Sequence, residues 1–318
     1  MNATLNILLG GINMAARILL VGSVMMDLIL RCERAPKPSE SVLGHDYSNA
    51  PGGKGSNAAV AARRAGAEVS AYATVGKDAN GEYLLNKWKE AGIKTDLVIE
   101  KEGENTGFVA ITLEDSGQNR LIIFPGANMK TPPDQLEEAF KDSFDAVLLQ
   151  FEIPFETNKR AIELANEKGI ITVLDAGPAQ KYDLESLPPV TILSPNETET
   201  EALVGIYPKD HESAKEAAKK LQERNGAKYV VLKMGEKGSY LYGEGYDEMV
   251  PPFKVQAVDP TAAGDAFTGV LAKAFVETKD LREAAKVANA AGALTCTKLG
   301  AQPSLPTKEE IDAFLAKQ

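Results

Sequence analysis

The sequence predicts an α/β protein: a doubly wound, mainly parallel sheet flanked by helices, with a small second β-sheet beside it. Three observations carry this. Beyond Phe124, short apolar runs alternate with segments of helical period, as parallel strands joined by helical crossovers do. Two glycine-rich turns, Pro51–Arg63 and Asp259–Gly269, each run directly into an apolar helix. The stretches 27–50 and 105–125 instead suit half-exposed strands, the first mixing prolines with alternating residues and the second holding a hairpin pattern. At 318 residues the chain can bury a large core, as one α/β domain with an appendage or as two domains.

Taken in order, Arg17–Gly22 is a short apolar run of the kind that forms a buried strand. The mixed segment Asp27–Ala50 leads into the first glycine-rich turn and a helix that Gly66 ends. Glu68–Val75 reads as a strand and Gly81–Ala91 as an amphipathic helix. Thr106–Leu113 and Asn119–Phe124 are strands joined by the turn Asp115-Ser116-Gly117-Gln118. Then come helix Asp134–Phe140, strand Ala146–Gln150, helix Asn158–Lys168, and strands Ile170–Asp175 and Val190–Leu193. Helices Glu197–Val204 and Ser213–Arg224 precede strand Tyr229–Lys233, which has a short antiparallel tail to Tyr242. Two long helices follow, Gly264–Val276 and Leu281–Thr295. The α/β domain spans 16–318, and residues 1–15 read as an N-terminal extension. Its Ile7–Ile12 run superficially matches a signal segment, but no basic stretch precedes it and Arg17 interrupts it.

Composition narrows the function. The chain is 25% charged and 44% hydrophobic, ordinary for a globular protein. A net charge of -10 argues against a nucleic-acid or anionic-membrane surface, and no apolar run reaches membrane-spanning length. Cys32 and Cys296 lie far apart and make neither a metal spacing nor a disulfide framework, so free thiols in a reducing cytoplasm are expected.

Chemistry concentrates in the two turns. Asp259-Pro260-Thr261-Ala262-Ala263-Gly264-Asp265 places small residues and then an acid at a helix start. Unpaired N–H groups and the positive end of the helix dipole meet there, and small residues let an anion approach closely. An anion cradle joined to a carboxylate base is what phosphoryl transfer to a hydroxyl requires. The same Asp would also serve as an ordinary first-turn acid. Pro51-Gly52-Gly53-Lys54-Gly55-Ser56-Asn57 offers backbone donors, a lysine and an amide at one point, which suits a polyol or a phosphate; a plain loop with a solvated lysine has the same composition. A Walker loop is excluded because Gly55, and not Ser or Thr, follows Lys54. Gly53-x-Gly55-x-x-Ala58 fits a loose dinucleotide fingerprint but follows a loop where that motif needs a strand.

With both runs on the page, the chain resembles the ribokinase family of sugar and nucleoside kinases from Arg17 to Lys317. Gly22-Ser23 with Asp27, Gln150-Phe151-Glu152, Pro195-Asn196-Glu197-Thr198-Glu199, Gly235-Glu236-Lys237-Gly238 and Lys298–Ser304 also match. Among subfamilies it is most similar to ribokinase and deoxyribokinase. The resemblance implies a small-sheet lid that often clasps a homodimer, with ATP and a sugar as partners. It implies Asp265 as general base, with Ala262, Ala263 and Gly264 supplying the anion hole. Asp27, Gly53, Lys54, Asn57 and Glu152 match sugar-contact positions, all of them on the strand-end edge where such sheets bind ligands. Asn196 and Glu199 match a pair that orders Mg²⁺ through water, although Asn followed by Glu three residues on is also a helix start. Lys233, Gly235 and Gly238 match a nucleotide-side loop, with Gly264, Asn289 and Gly292 beside it. Asp259, Thr261, Thr295, Lys298, Gly300 and Ser304 correspond to a loop that holds a monovalent cation, expected to be K⁺.

Two positions depart from the pattern. Ribokinases carry Asn two residues before the sugar-contact Asp; this chain has Met25, as deoxyribokinases do. A thioether cannot bond a 2-hydroxyl, so Met25 tilts the expectation towards the deoxy sugar, unless it is simply core. Pro260 replaces the first Thr of the usual Asp-Thr-Thr and removes one N–H. The rival readings are a kinase for another polyol or nucleoside, a non-catalytic sugar-binding protein, and a nicotinamide oxidoreductase.

Overall fold

The computed structural model of the protein describes residues 15–318. Of the expected extension, all but Ala15 lies outside them. The first strand, β1 (Arg17–Val21), alternates between two cores: Ile18 and Leu20 join one, Leu19 and Val21 the other. Next come β2 (Met25–Cys32) and β3 (Gly44–Gly52), an antiparallel pair, and α1 (Lys54–Arg64). They are followed by β4 (Glu68–Tyr72), β5 (Thr74–Gly76), α2 (Ala79–Glu90) and β6 (Ile99–Lys101). Strands β7 (Gly107–Glu114) and β8 (Asn119–Phe124) make a hairpin. The regular part runs α3 (Leu136–Ala139), β9 (Ala146–Gln150), α4 (Phe155–Glu167), β10 (Ile171–Asp175), β11 (Ile192–Ser194), α5 (Glu197–Val204) and α6 (His211–Asn225). It ends with β12 (Tyr229–Lys233), β13 (Ser239–Gly243), β14 (Tyr246–Val250), α7 (Ala263–Thr278), α8 (Leu281–Thr295) and α9 (Lys308–Leu315).

The main sheet has the order β14-β13-β12-β11-β10-β9-β1-β4, parallel from β4 to β12 and antiparallel at its β13–β14 end. Helices cover both faces. Residues of α1, α7 and α8 fill one core, including Ala61, Leu271 and Ala288; Ile162 of α4 and Leu221 of α6 fill the other. This is the doubly wound sheet that the strand–helix alternation predicts. A second sheet, β3-β2-β7-β8, stands apart as the expected small sheet.

Three expectations change. Glu68–Val75 is not one strand: the chain leaves the main sheet after Tyr72, and Thr74–Gly76 pairs instead with Ile99–Lys101. The helix expected over Asp134–Phe140 shrinks to Leu136–Ala139, because the turns after Pro133 close between residues three apart. The tail after Lys233 is a full hairpin, β13 and β14, and α9 was not anticipated.

One contact sets the geometry of the site. Helices α1 and α7 start at the two glycine-rich turns and pack with their backbones touching. A Cβ on Gly269 would lie 2.1 Å from the Ala58 carbonyl oxygen, and Ala58, Ala61, Ala62 and Ala266 keep the rest of the contact small. Both helix starts therefore reach the same edge of the sheet.

Candidate active site

The first glycine-rich turn is shaped by the chain's own backbone. A Cβ on Gly53 would meet Met25 N at 3.0 Å, and one on Gly55 would sit 2.7 Å from Ser23 N. Gly53 also holds φ at +91°, a region that favours glycine. The β1–β2 passage thus packs directly against both glycines.

At the second turn Ala262 adopts φ +63° and caps α7. Among the described residues the N–H groups of Ala262, Gly264 and Asp265 make no hydrogen bond, whereas that of Ala263 donates to the Pro260 carbonyl at 3.1 Å. Of the three donors expected for the anion hole, Ala262 and Gly264 are available and Ala263 is engaged. The free Asp265 N–H stands beside them.

Asp265 is buried, and its Oδ2 accepts a 2.8 Å hydrogen bond from the Asn57 amide. The Asn57 Oδ1 is buried with no partner among the described residues, so it is an acceptor left for a ligand hydroxyl. The Lys54 ammonium stands 3.7 Å from Asp265, 3.2 Å from Glu199 and 3.5 Å from Asp175. Burial works against its charge, but these acids outweigh that and hold Lys54 well above the ordinary lysine range. Asp175 in turn binds the Lys233 ammonium and accepts from the Thr268 hydroxyl at 2.9 Å. Burial alone would raise its carboxyl, but the two lysines drive it far down.

On the sugar side, Glu152 accepts from the Ser23 hydroxyl at 2.6 Å and from the Lys54 N–H at 2.9 Å. Burial pushes it above the ordinary carboxylate range against those bonds. Asp27 is the third residue of β2, in the small sheet expected over 27–50, and its carboxylate lies over Gly52, where a Cβ would come within 2.2 Å. Burial, with Glu152 and Asp265 nearby, pushes it up to about 7. Strand alternation sets Met25 on the Asp27 face, while Met26 packs into the core on the other. Met25 is buried yet belongs to neither apolar cluster, which fits a wall of the site better than core.

On the side expected to hold the nucleotide, a cleft of about 750 Å³ opens against the start of α7. Lys233, Gly235, Gly238, Gly264, Asn289 and Gly292 all line it. The Asn289 amide is tied to the Val250 and Pro251 carbonyls and so braces the wall. Gly238 holds φ +89°, and a Cβ there would strike the Val250 carbonyl at 2.2 Å. Asn196 and Glu199 form a capping box at α5, each side chain bonding the other's N–H. Both Glu199 oxygens thus have a protein partner, one the Asn196 N–H and the other the Lys54 ammonium.

The six residues matched to the cation loop separate. Asp259 ties Thr261 to Gly300: Oδ1 accepts from the Thr261 N–H and hydroxyl, Oδ2 from the Gly300 N–H. Thr295 and Ser304 turn their hydroxyls onto the Ala291 and Ala301 carbonyls, and Lys298 pairs with Glu310. No cluster of His, Cys, Asp and Glu among the described residues is arranged to hold a metal.

Sequence reasoning missed Asp175, Thr268 and Ser23. Asp175 closes a strand that was read correctly to its last residue, and an acid at the carboxyl end of a parallel strand was the available signal.

The profile of the pfkB family carbohydrate kinases matches residues 15–308. A ribokinase from Haemophilus influenzae is 36% identical over 297 residues, covering 93% of this chain and 97% of that protein. A deoxyribokinase from Salmonella typhimurium is 32% identical over 302 residues, covering 94% and 98%. The structure of Arabidopsis thaliana ribokinase complexed with ribose and ATP superposes with a TM-score of 0.84 at 33% identity, covering 95% of this chain and 99% of that one.

Proposed function

The chain belongs to the pfkB family of carbohydrate kinases and is an ATP-dependent sugar kinase; from that premise we propose that it phosphorylates the 5-hydroxyl of a pentose, 2-deoxy-D-ribose or D-ribose. The observation that carries the reading is Asp265, held by Asn57 and faced by Lys54, in the same helix turn as the free Gly264 N–H. A hydroxyl set against Asp265 gives that carboxylate its proton as its oxygen attacks the γ-phosphorus. The new O–P bond forms, the bond to the β–γ bridging oxygen breaks, and ADP leaves. The N–H groups of Ala262, Gly264 and Asp265 face the charge that builds on the phosphoryl oxygens.

Asp27, Glu152 and Asn57 supply the polar contacts to the sugar, with Lys54 between them and the base. Mg²⁺, reached through water from Glu199 and Asn196, neutralises phosphate charge when bound. K⁺ at the loop around Asp259 would rest on carbonyl oxygens. A homodimer through the small sheet is supported by the exposed Leu121, Ile122, Ile123 and Phe124 along its open edge strand β8. The free Cys32 and Cys296 fit a reducing, cytoplasmic setting.

Met25 favours 2-deoxy-D-ribose, because a 2-hydroxyl set against its thioether would lose a partner. The test is ADP release with each sugar, in the parent and in Met25→Asn. The parent should prefer the deoxy sugar, and Met25→Asn should move the ratio of kcat/KM towards ribose by roughly 5- to 100-fold. A parent that prefers ribose, with no shift in the variant, would show that Met25 does not read the 2-position. No turnover of either sugar would refute the pentose assignment.

A further inference from the structure

Asp175 is a buried carboxylate of the site that the base, the sugar contacts and the metal pair do not account for. It stands between the two ammonium groups. Its Oδ1 faces Lys54 at 3.5 Å and accepts from the Gly177 N–H at 3.0 Å. Its Oδ2 binds Lys233 and accepts from Thr268, whose hydroxyl also reaches the Gly264 carbonyl at 3.0 Å. Lys233 lines the 750 Å³ cleft, and its Nζ lies 3.8 Å from where a Gly264 Cβ would be. The charges therefore form one chain: Asp265, Lys54, Asp175, Lys233, and then the cleft at the start of α7.

We propose that Asp175 is a positioning residue that fixes Lys233 against the phosphates of the nucleotide and Lys54 against the base, so that one carboxylate joins the two substrate subsites. The physical need is plain. A lysine is a flexible point charge with three donors, and at a phosphoryl centre it helps only if held in place beforehand. Asp175 is itself fixed by Thr268 on α7 and by the Gly177 N–H, so its lysines are held in register with the helix that carries Asp265. Packing leaves little slack: a Cβ on Gly177 would lie 2.2 Å from Lys54 Cε and 2.5 Å from Glu199 Oε1. The proposal rests on the kinase reading of the α7 start.

The test is a double-mutant cycle of Asp175→Asn, Lys233→Met and the charge-balanced double variant, read as the Kd of Mg-ADP by calorimetry and as kcat and KM for ATP and sugar. Each single change should weaken ADP binding by roughly tenfold or more and lower kcat further. The double variant should bind ADP no more weakly than Lys233→Met alone, because Asp175 acts on the nucleotide through that lysine, while its kcat should fall further because Lys54 is released as well. Losses of ADP affinity that multiply in the double variant, or an Asp175→Asn protein that binds ADP and turns over like the parent, would overturn the proposal. The double variant keeps the test open if a single change leaves a buried charge that prevents folding. ADP binding needs no turnover, so failure of the base assignment would show separately, as an Asp265→Asn enzyme that stays active.

Discussion

At Asp265 a single amide sets the chemistry: Asn57 holds Oδ2 and leaves Oδ1 facing Lys54. Replacing Asp265 with Asn keeps the shape and removes the base. Turnover should fall about 10²–10⁴-fold while the thermal midpoint stays close to the parent's, as ADP release and a melting curve would report. Asp27 makes a different prediction. Its carboxyl is raised to about 7 in the folded protein and titrates near 3.9 when unfolded. Between those values the folded state holds a proton that the unfolded chain has lost, so this group makes stability fall as pH rises through that window. Asp27→Asn should therefore gain in Tm over the parent as pH rises from 5 to 8, by roughly 2–6 °C, and should bind sugar more weakly. A Tm difference independent of pH would rule out the raised carboxyl.

Among elements, the α1–α7 contact matters most, because each helix begins at one of the two substrate loops. Gly269 is the point of closest approach. Gly269→Val must push α7 off Ala58, which moves the anion-binding turn relative to Lys54 and Asn57. The expected result is a loss of about 1–3 kcal/mol in urea unfolding together with a higher KM for both sugar and ATP. Normal KM values in a protein destabilised by that amount would mean that the helix starts are located by their loops alone. The capping box of Asn196 and Glu199 works similarly, since the bonds that start α5 also aim Glu199 at Lys54.

For the whole molecule, the small sheet leaves its edge strand β8 uncovered among the described residues. Strand β8 is exposed along its whole length, with Ile122 at 62%. Asp27 and Met25 sit on β2, two strands in from β8, so a partner chain on that edge in the proposed homodimer would bear on a wall of the proposed sugar site. Ile122→Asp should convert a dimer into a monomer in sedimentation and raise KM for the sugar more than for ATP. A parent that sediments as a monomer at all concentrations would remove the dimer from the mechanism.

Much of this was legible in the residues. The alternation of apolar runs and helical periods dictated the parallel sheet, because a strand buried on both faces has to be apolar throughout. Small residues before Asp265, and the run from Gly52 to Asn57, marked the two helix starts, since only such residues let chains or anions come close. Contacts between distant segments could not be read this way. Asp175 meets Lys233 across 58 residues and Thr268 across 93, and nothing in their local sequence names the partner. The engagement of the Ala263 N–H by Pro260 and the break after Tyr72 are likewise decided by what lies alongside. Local sequence determined which elements form and which carry the chemistry. Tertiary packing alone decided which charges meet, because a buried ion pair depends on distances that only the folded chain sets.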